Sequence, residues 1–234
     1  MTLPQTQSDE TPVTETKKQA ASVLELLASR ICHDLISPVG AINNGVEFME
    51  EMGDDPEQRK DALGLISHSA SQASAKLQAF RIAYGAGGRD NNVKPEDVQK
   101  AFSQLISADG KITQQWDPFG NLGPAKPYPF AYCKMLMCSM MLAMECLVKG
   151  GYVMVRPGEG SQTIILAEGE SVLLRDNVEA ALKQEIPTED LDPRLVHPYA
   201  ISVIGQHYGY KLSIKEKRDD RVTFVLDCPP STAA

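Results

Sequence analysis

The sequence predicts an α plus α/β protein in two parts. An N-terminal antiparallel helical hairpin pairs with a second copy as a dimeric four-helix bundle, and a C-terminal α/β sandwich follows it. Three observations carry this. Apolar residues recur in alternating steps of four and three over Leu24–Met49 and again over Leu63–Tyr84, the period of a helical seam. The stretch "GAGGRDNNVKP" (Gly85 to Pro95) is rich in Gly and Asn and reads as a linker. Beyond it, strand-like and helix-like runs alternate only in part, which suits a helix layer on a mixed sheet.

The first seam is Leu24, Ala28, Ile31, Leu35, Pro38, Ile42, Gly45 and Met49. "GDDP" (Gly53 to Pro56) ends that helix, with Asp54 or Asp55 placed to cap the next. The second seam is Leu63, Ile66, Ala70, Ala73, Leu77, Phe80 and Tyr84. A short connection between two long helices makes them antiparallel neighbours. Flanking residues such as Leu27, Val39, Val46, Ala62 and Ile82 widen both stripes. Two more helices, from a second copy, cover so wide a face best; packing the hairpin on the rest of its own chain is the other solution.

In the second part, "PEDVQKAFSQLIS" (Pro95 to Ser107) has Pro in its first turn and acids beside it, as a helix start requires. "KITQQWD" alternates as a strand does, and "PFAYCKMLMCSMMLAMECLVKGG" is a long apolar helix closed by Gly150 and Gly151. "YVMVRPG" and "SQTIILAEG" are strands joined at a turn with Pro157 and Gly158. "LLRDNVEAALKQE" and "AISVIGQHYG" read as helices, and "YKLSIKEKRDDRVTFVLDCP" as a final hairpin. The resulting division is a disordered lead-in over 1–18, the helical hairpin over 19–86, the linker over 87–94 and the α/β domain over 95–230.

The composition excludes several functions. The 234 residues carry a net charge of -8, which argues against nucleic acid or an anionic membrane as partner. The longest apolar run, "MLMCSMMLAMECLV" (Met135 to Val148), falls short of the roughly 20 residues that span a bilayer. The N-terminal stretch lacks the basic-then-apolar order of a signal peptide. Cys32, Cys133, Cys138, Cys146 and Cys228 form no C-x-x-C pair and, with four scattered histidines, no zinc pattern. We expect them reduced and mostly buried, in the cytoplasm. The glycines after Gly85 precede no Lys-Ser or Lys-Thr, so they are no phosphate loop.

One segment stands apart. "SRICHDLISPVGAINNGVEF" (Ser29 to Phe48) combines a His-Asp pair with a proline and two glycines inside a helix, residues that weaken helices. His33 lies two residues from both Ile31 and Leu35, about 200° away from the seam, and so faces solvent. Its face continues through Arg30, Ser37, Gly40, Asn44 and Glu47. The small residues among them let another protein approach, so Arg30, Ser37, Gly40 and Asn44 are the candidate partner-binding residues. Pro38 has no N–H, so the Asp34 carbonyl loses its helical partner and the helix loosens within a turn of His33. Neutral imidazole is nucleophilic near pH 7, and a neighbouring carboxylate fixes its tautomer. His33 with Asp34 therefore suits in-line attack on a phosphoryl group. Most surface histidines do no such chemistry; His68, also opposite its seam, has serines beside it and no acid or proline.

"HDLISP" (His33 to Pro38) resembles the phosphoacceptor box of histidine kinases, and "CHDLISPVGAINNG" resembles more closely still the alphaproteobacterial histidine phosphotransferases of the ChpT type. That resemblance implies a dimerising hairpin followed by a kinase-like (Bergerat-type) ATPase fold that has lost its nucleotide site. The losses fall at matching spacings. In "LAMECLVKGG" Leu142 stands where a working kinase has the Asn that holds Mg²⁺. In "AEGES" Ala167 and Ser171 replace the Asp and second Gly of the adenine box, with Gly169 kept. His197, Pro198 and Tyr199 fill a Gly-x-Gly motif. Such a chain lacks an oxygen for the metal, a partner for the adenine amine and a nest of N–H groups for phosphates.

The resemblance implies a histidine phosphotransferase of a bacterial phosphorelay. His33 takes a phosphoryl group from the aspartate of one response-regulator receiver domain, the donor belonging to a hybrid histidine kinase, and gives it to another. The chain binds no cofactor or metal of its own; Mg²⁺ is expected in the partner receiver domain. The alternatives are an active histidine kinase using ATP and a non-catalytic pseudokinase-like scaffold for receivers.

Overall fold

The computed structural model describes residues 12–51, 55–85, 92–107 and 110–230, with side chains from Ala21 onward. Helix α1 (Pro12–Glu51) and helix α2 (Pro56–Ala83) form the antiparallel hairpin. Helix α1 starts inside the stretch 1–18 expected as disordered. Pro12 suits a first turn, and once Val23 and Leu26 are anchored, extending the helix outward is cheap compared with nucleating it. Gly53 and Asp54 of the connection, and most of the linker over 87–94, lie outside the described residues. Asp55 is the N-cap of α2: its Oδ1 accepts from the backbone N–H of Glu57 (3.0 Å) and Gln58 (3.4 Å), satisfying donors the helix leaves open.

On α1 the expected seam holds from Ile31 to Met49 but not at its start. Pro38 and Gly45 are buried, and Leu35, Ile42 and Met49 half-buried, against Ile66, Ala73 and Phe80 of α2. Gly45 marks a close approach of the two helices: an added Cβ there would lie 2.6 Å from Ile66 Cγ1. Leu24 and Ala28 are exposed. Above Ile31 helix α1 changes partner, and Val23, Leu26 and Leu27 pack instead against the second part of the chain. On α2 the expected seam divides, with Ile66, Ala73 and Phe80 turned inward and Leu63, Ala70 and Leu77 outward.

The second part carries helices α3 (Pro95–Ile106), α4 (Tyr132–Glu145), α5 (Val178–Leu182) and α6 (Val196–Tyr208) and strands β1 (Ile112–Gln115), β2 (Gly151–Pro157), β3 (Thr163–Glu168), β4 (Lys211–Lys217) and β5 (Arg221–Asp227). The five strands form one sheet in the order β1-β2-β3-β5-β4, with β1 and β2 parallel and the other neighbours antiparallel. Helix α4 lies buried from Tyr132 to Ala143, and its methionines are core packing, as adaptable thioethers usually are. Helix α5 is shorter than the expected 173–185. Leu173 donates its N–H to the Cys146 carbonyl, and Asn177 starts the helix with φ 63°, so the preceding residues are tied to the end of α4. Helix α6 begins at Val196, before the expected Ala200; Pro198 lies in the first turn, where its missing N–H costs nothing.

A single apolar core runs from the end of α2 through α4 to the sheet. Lys134 of α4, 3% exposed, fixes the junction. Its ammonium donates to the carbonyls of Gly85 (2.8 Å), Ala83 (3.0 Å) and Ile82 (3.4 Å), placing a cation on the negative end of α2 and partnering its open carbonyls. The base of the hairpin is therefore packed on its own chain, while farther out Ile36, Val39, Val46, Leu63 and Leu77 remain exposed.

Candidate functional site

His33 projects from the middle of α1 with its side chain 89% exposed, as the helical phase predicts. Its Nδ1 faces the Asp34 carboxylate, 3.6 Å from Oδ1. That is an ion-pair distance for a charged ring and ~0.6 Å longer than a good hydrogen bond. With Nδ1 turned to Asp34, Nε2 is left on the open side.

Pro38 explains the next contact. The Asp34 carbonyl, deprived of the N–H at position 38, accepts instead from Lys76 Nζ of α2 at 2.9 Å. The helix runs unbroken through the proline. The loosening expected there is offset by this bond, which also brings a cation beneath the His33 turn. Lys76 was absent from the expected site. Its signal lies in the hairpin register: Gly45 against Ile66 sets the pairing that puts Asp34 against Lys76.

Ser37 and Asn44 are exposed on the His33 face, and the space over Gly40 is open, with nothing within 4 Å of an added Cβ. Arg30 departs from the expected partner-binding role. Its side chain is only 18% exposed and its guanidinium pairs with Glu145 on α4; its Nε lies 4.0 Å from Asp34 Oδ2. The long side chain shares the His33 face at its root but reaches across to the second part of the chain. His68 hydrogen-bonds Gln72 at 2.6 Å on an exposed face.

Glu145 was also missed. A single acid inside a long apolar helix is its signal, since a half-buried charge needs a partner. Burial pushes its carboxyl above the ordinary value, and Arg30 opposes the shift. Behind it stands His197, fully buried, with Nε2 4.0 Å from Glu145 Oε1. His197 Nε2 donates to the Cys138 carbonyl at 3.2 Å, so Nδ1 is the acceptor for the Tyr84 hydroxyl. Burial, helped by the positive Arg30, pushes the imidazole down to about 3, and burial holds the Tyr84 phenol protonated. His197 is thus a neutral core side chain.

At the positions matched to a nucleotide site, Leu142 is 2% exposed, Ala167 and His197 0% and Tyr199 7%. Gly169 has a packing reason of its own, since a Cβ there would lie 2.4 Å from the Gly150 carbonyl oxygen. Among the described residues no cluster of His, Cys, Asp or Glu is arranged to hold a metal, and no helix is long and apolar enough to cross a membrane. All five cysteines are free, Cys32 exposed and the others buried with thiols pushed up to about 12 by burial.

The model of the family described as histidine phosphotransferase C-terminal domain matches residues 95–220. The protein phosphotransferase ChpT of Brucella abortus (strain 2308) is 35% identical over 202 residues, 84% of this chain and 91% of that protein. A solved structure of a bacterial phosphotransferase aligns with a TM-score of 0.70 at 28% identity, covering 97% of this chain and 100% of that one.

Proposed function

The chain belongs to the histidine phosphotransferase family and is a protein phosphotransferase of a phosphorelay, and from that premise we propose that His33 carries the phosphoryl group between receiver-domain aspartates. The observation that carries the reading is an imidazole 89% exposed with a carboxylate 3.6 Å from its Nδ1. Nε2 attacks the phosphorus of an aspartyl phosphate in line. The new N–P bond forms as the P–O bond breaks, and the aspartate leaves as carboxylate. Attack makes the ring cationic, and Asp34 faces the N–H that bears this charge. The return step gives the phosphoryl group to the aspartate of a second receiver and restores the neutral ring. Arg30 and Lys76, both on Asp34, offset the repulsion between its carboxylate and an incoming phosphoryl dianion.

Receivers approach along Ser37, Gly40 and Asn44, where small side chains leave room. Mg²⁺ belongs to the receiver's own acidic pocket. The exposed apolar stripe of Ile36, Val39, Val46, Leu63 and Leu77 supports a homodimer closed as a four-helix bundle. We read the second part as a degenerate Bergerat-type domain that binds no ATP. Burial of Leu142, Ala167, His197 and Tyr199 supports this, because side chains packed in a core offer a nucleotide neither a metal ligand nor an adenine partner. Free cysteines support a cytoplasmic location. The test is transfer from a phosphorylated receiver to a second receiver, with wild type against His33→Ala, beside calorimetry with Mg-ATP. Relay lost in the variant and no heat with ATP is the expected result. Tight nucleotide binding with His33 labelled from ATP would make the chain a kinase; relay that survives His33→Ala would move the site elsewhere.

A further inference from the structure

A continuous polar path joins the second part of the chain to the His33 turn. It runs from His197 to Glu145 (4.0 Å), across the ion pair to Arg30, from Arg30 Nε to Asp34 Oδ2 (4.0 Å) and from Asp34 Oδ1 to His33 Nδ1 (3.6 Å). Resting on the reading of His33 as phosphoacceptor, we propose that Glu145 and Arg30 are positioning residues for the transfer: Glu145 fixes Arg30, and Arg30 fixes the Asp34 carboxylate against His33.

Two nitrogens of one guanidinium meet two acids: Nη2 pairs with Glu145, and Nε lies 4.0 Å from Asp34 Oδ2. Alone on a helix surface, an Asp-Arg pair four residues apart is one of many rotamer combinations and holds nothing firmly. Glu145 removes that freedom, because it sits on α4, whose buried face is locked in the core. His197 backs Glu145 and is itself held by Tyr84 and the Cys138 carbonyl. The Asp34 backbone is fixed independently by Lys76. Asp34 is thus held at its carbonyl by the hairpin and at its carboxylate by the second part of the chain. A domain that never touches the phosphate in this way sets the group that steadies the phosphorylated ring.

The experiment uses the full chain and two phosphodonors. Phosphoramidate is a small donor that phosphorylates imidazole with release of ammonia and needs no docking. The second donor is a phosphorylated receiver domain. Single-turnover rates are measured for wild type, Arg30→Met, Glu145→Gln, Asp34→Asn, the double variant Arg30→Met/Asp34→Asn, and the charge swap Arg30→Glu/Glu145→Arg, with a thermal melt of each. Arg30→Met and Glu145→Gln are expected to slow the maximal rate from both donors by about tenfold or more, with the receiver concentration at half-maximal rate changed less than about twofold. In the Asp34→Asn background, Arg30→Met is expected to add nothing, because residues acting as one unit are not additive. The charge swap is expected to recover the melting temperature, since it restores the ion pair, but not the rate, since it puts a glutamate beside Asp34. Wild-type rates in both single variants, additive loss in the double variant, or recovery of rate together with stability in the swap would each overturn the proposal. Failure of the underlying reading looks different: wild type itself then carries no phosphate on His33 from either donor.

Discussion

His33 and His197 end the same chain of contacts through Arg30, and each has a carboxylate about one ion pair away. Asp34 is 3.6 Å from the first imidazole and Glu145 4.0 Å from the second. The difference is water. The first side chain is 89% exposed, with one nitrogen open; the second is 0% exposed, with both nitrogens bonded. A neighbouring acid therefore does not distinguish the two histidines. Access does, and here it follows from helical phase in one case and from the packing of α6 on α4 in the other.

Substitution should separate the two regions most sharply. His33→Ala is expected to remove all transfer while changing unfolding free energy by less than about 0.5 kcal/mol, as surface replacements do. His197→Ala should do the reverse in stability, costing about 2–4 kcal/mol in urea unfolding, because it opens a cavity and strands the Tyr84 hydroxyl. Comparable stability losses in the two variants would erase the distinction.

Acid sharpens the comparison next. His197 falls from an ordinary 6.5 to about 3 on folding, so the unfolded chain takes up this proton first. Its contribution to stability is complete above pH 6.5 and is lost as pH falls from there toward 3. Between pH 7.5 and 5.0 the loss amounts to about 2 kcal/mol. Glu145, raised by burial, works in the opposite direction, since its carboxylate is easier to bury once protonated. Comparing the pH dependence of wild type with that of His197→Gln isolates the imidazole: wild type should lose about 2 kcal/mol more over this interval. Parallel profiles would mean that His197 is solvated.

Smaller effects test the exposed region. Lys76→Met should cost about 1 kcal/mol of stability by leaving the Asp34 carbonyl to water, and should slow transfer. No change in either would make the Lys76 contact incidental. Gly40→Leu should leave stability within about 0.5 kcal/mol, because the space above it is open, and should weaken receiver binding measured by calorimetry. Unchanged affinity would put the docking surface elsewhere.

The exposed region was largely legible in the sequence, and the buried one was not. The phase of His33, a cap at Asp54 or Asp55, the orphaned Asp34 carbonyl and the Met-rich core helix all follow from local periodicity and from what capping residues, proline and methionine do wherever they occur. Arg30 was placed on the right face, but where a long side chain ends depends on the neighbour it finds, and Glu145 is 115 residues away. The change of partner at Ile31 and the division of the α2 seam depend equally on where the second part of the chain packs. Lys76 lay within reach of the hairpin register, and Glu145 was marked by being an acid in an apolar helix. The short α5 required knowing that Leu173 pairs with Cys146, a contact that no local pattern encodes.

The central claim is that one exposed nitrogen carries the phosphate. Its most direct test is mass-spectrometric mapping of the chain, under conditions that preserve phosphoramidate bonds, after incubation with a phosphorylated receiver domain. The account predicts phosphate on the peptide containing His33 and on no peptide containing His68, His197 or His207. Phosphate at one of those positions, or none on the chain while the receiver loses its label to a second receiver, would contradict it.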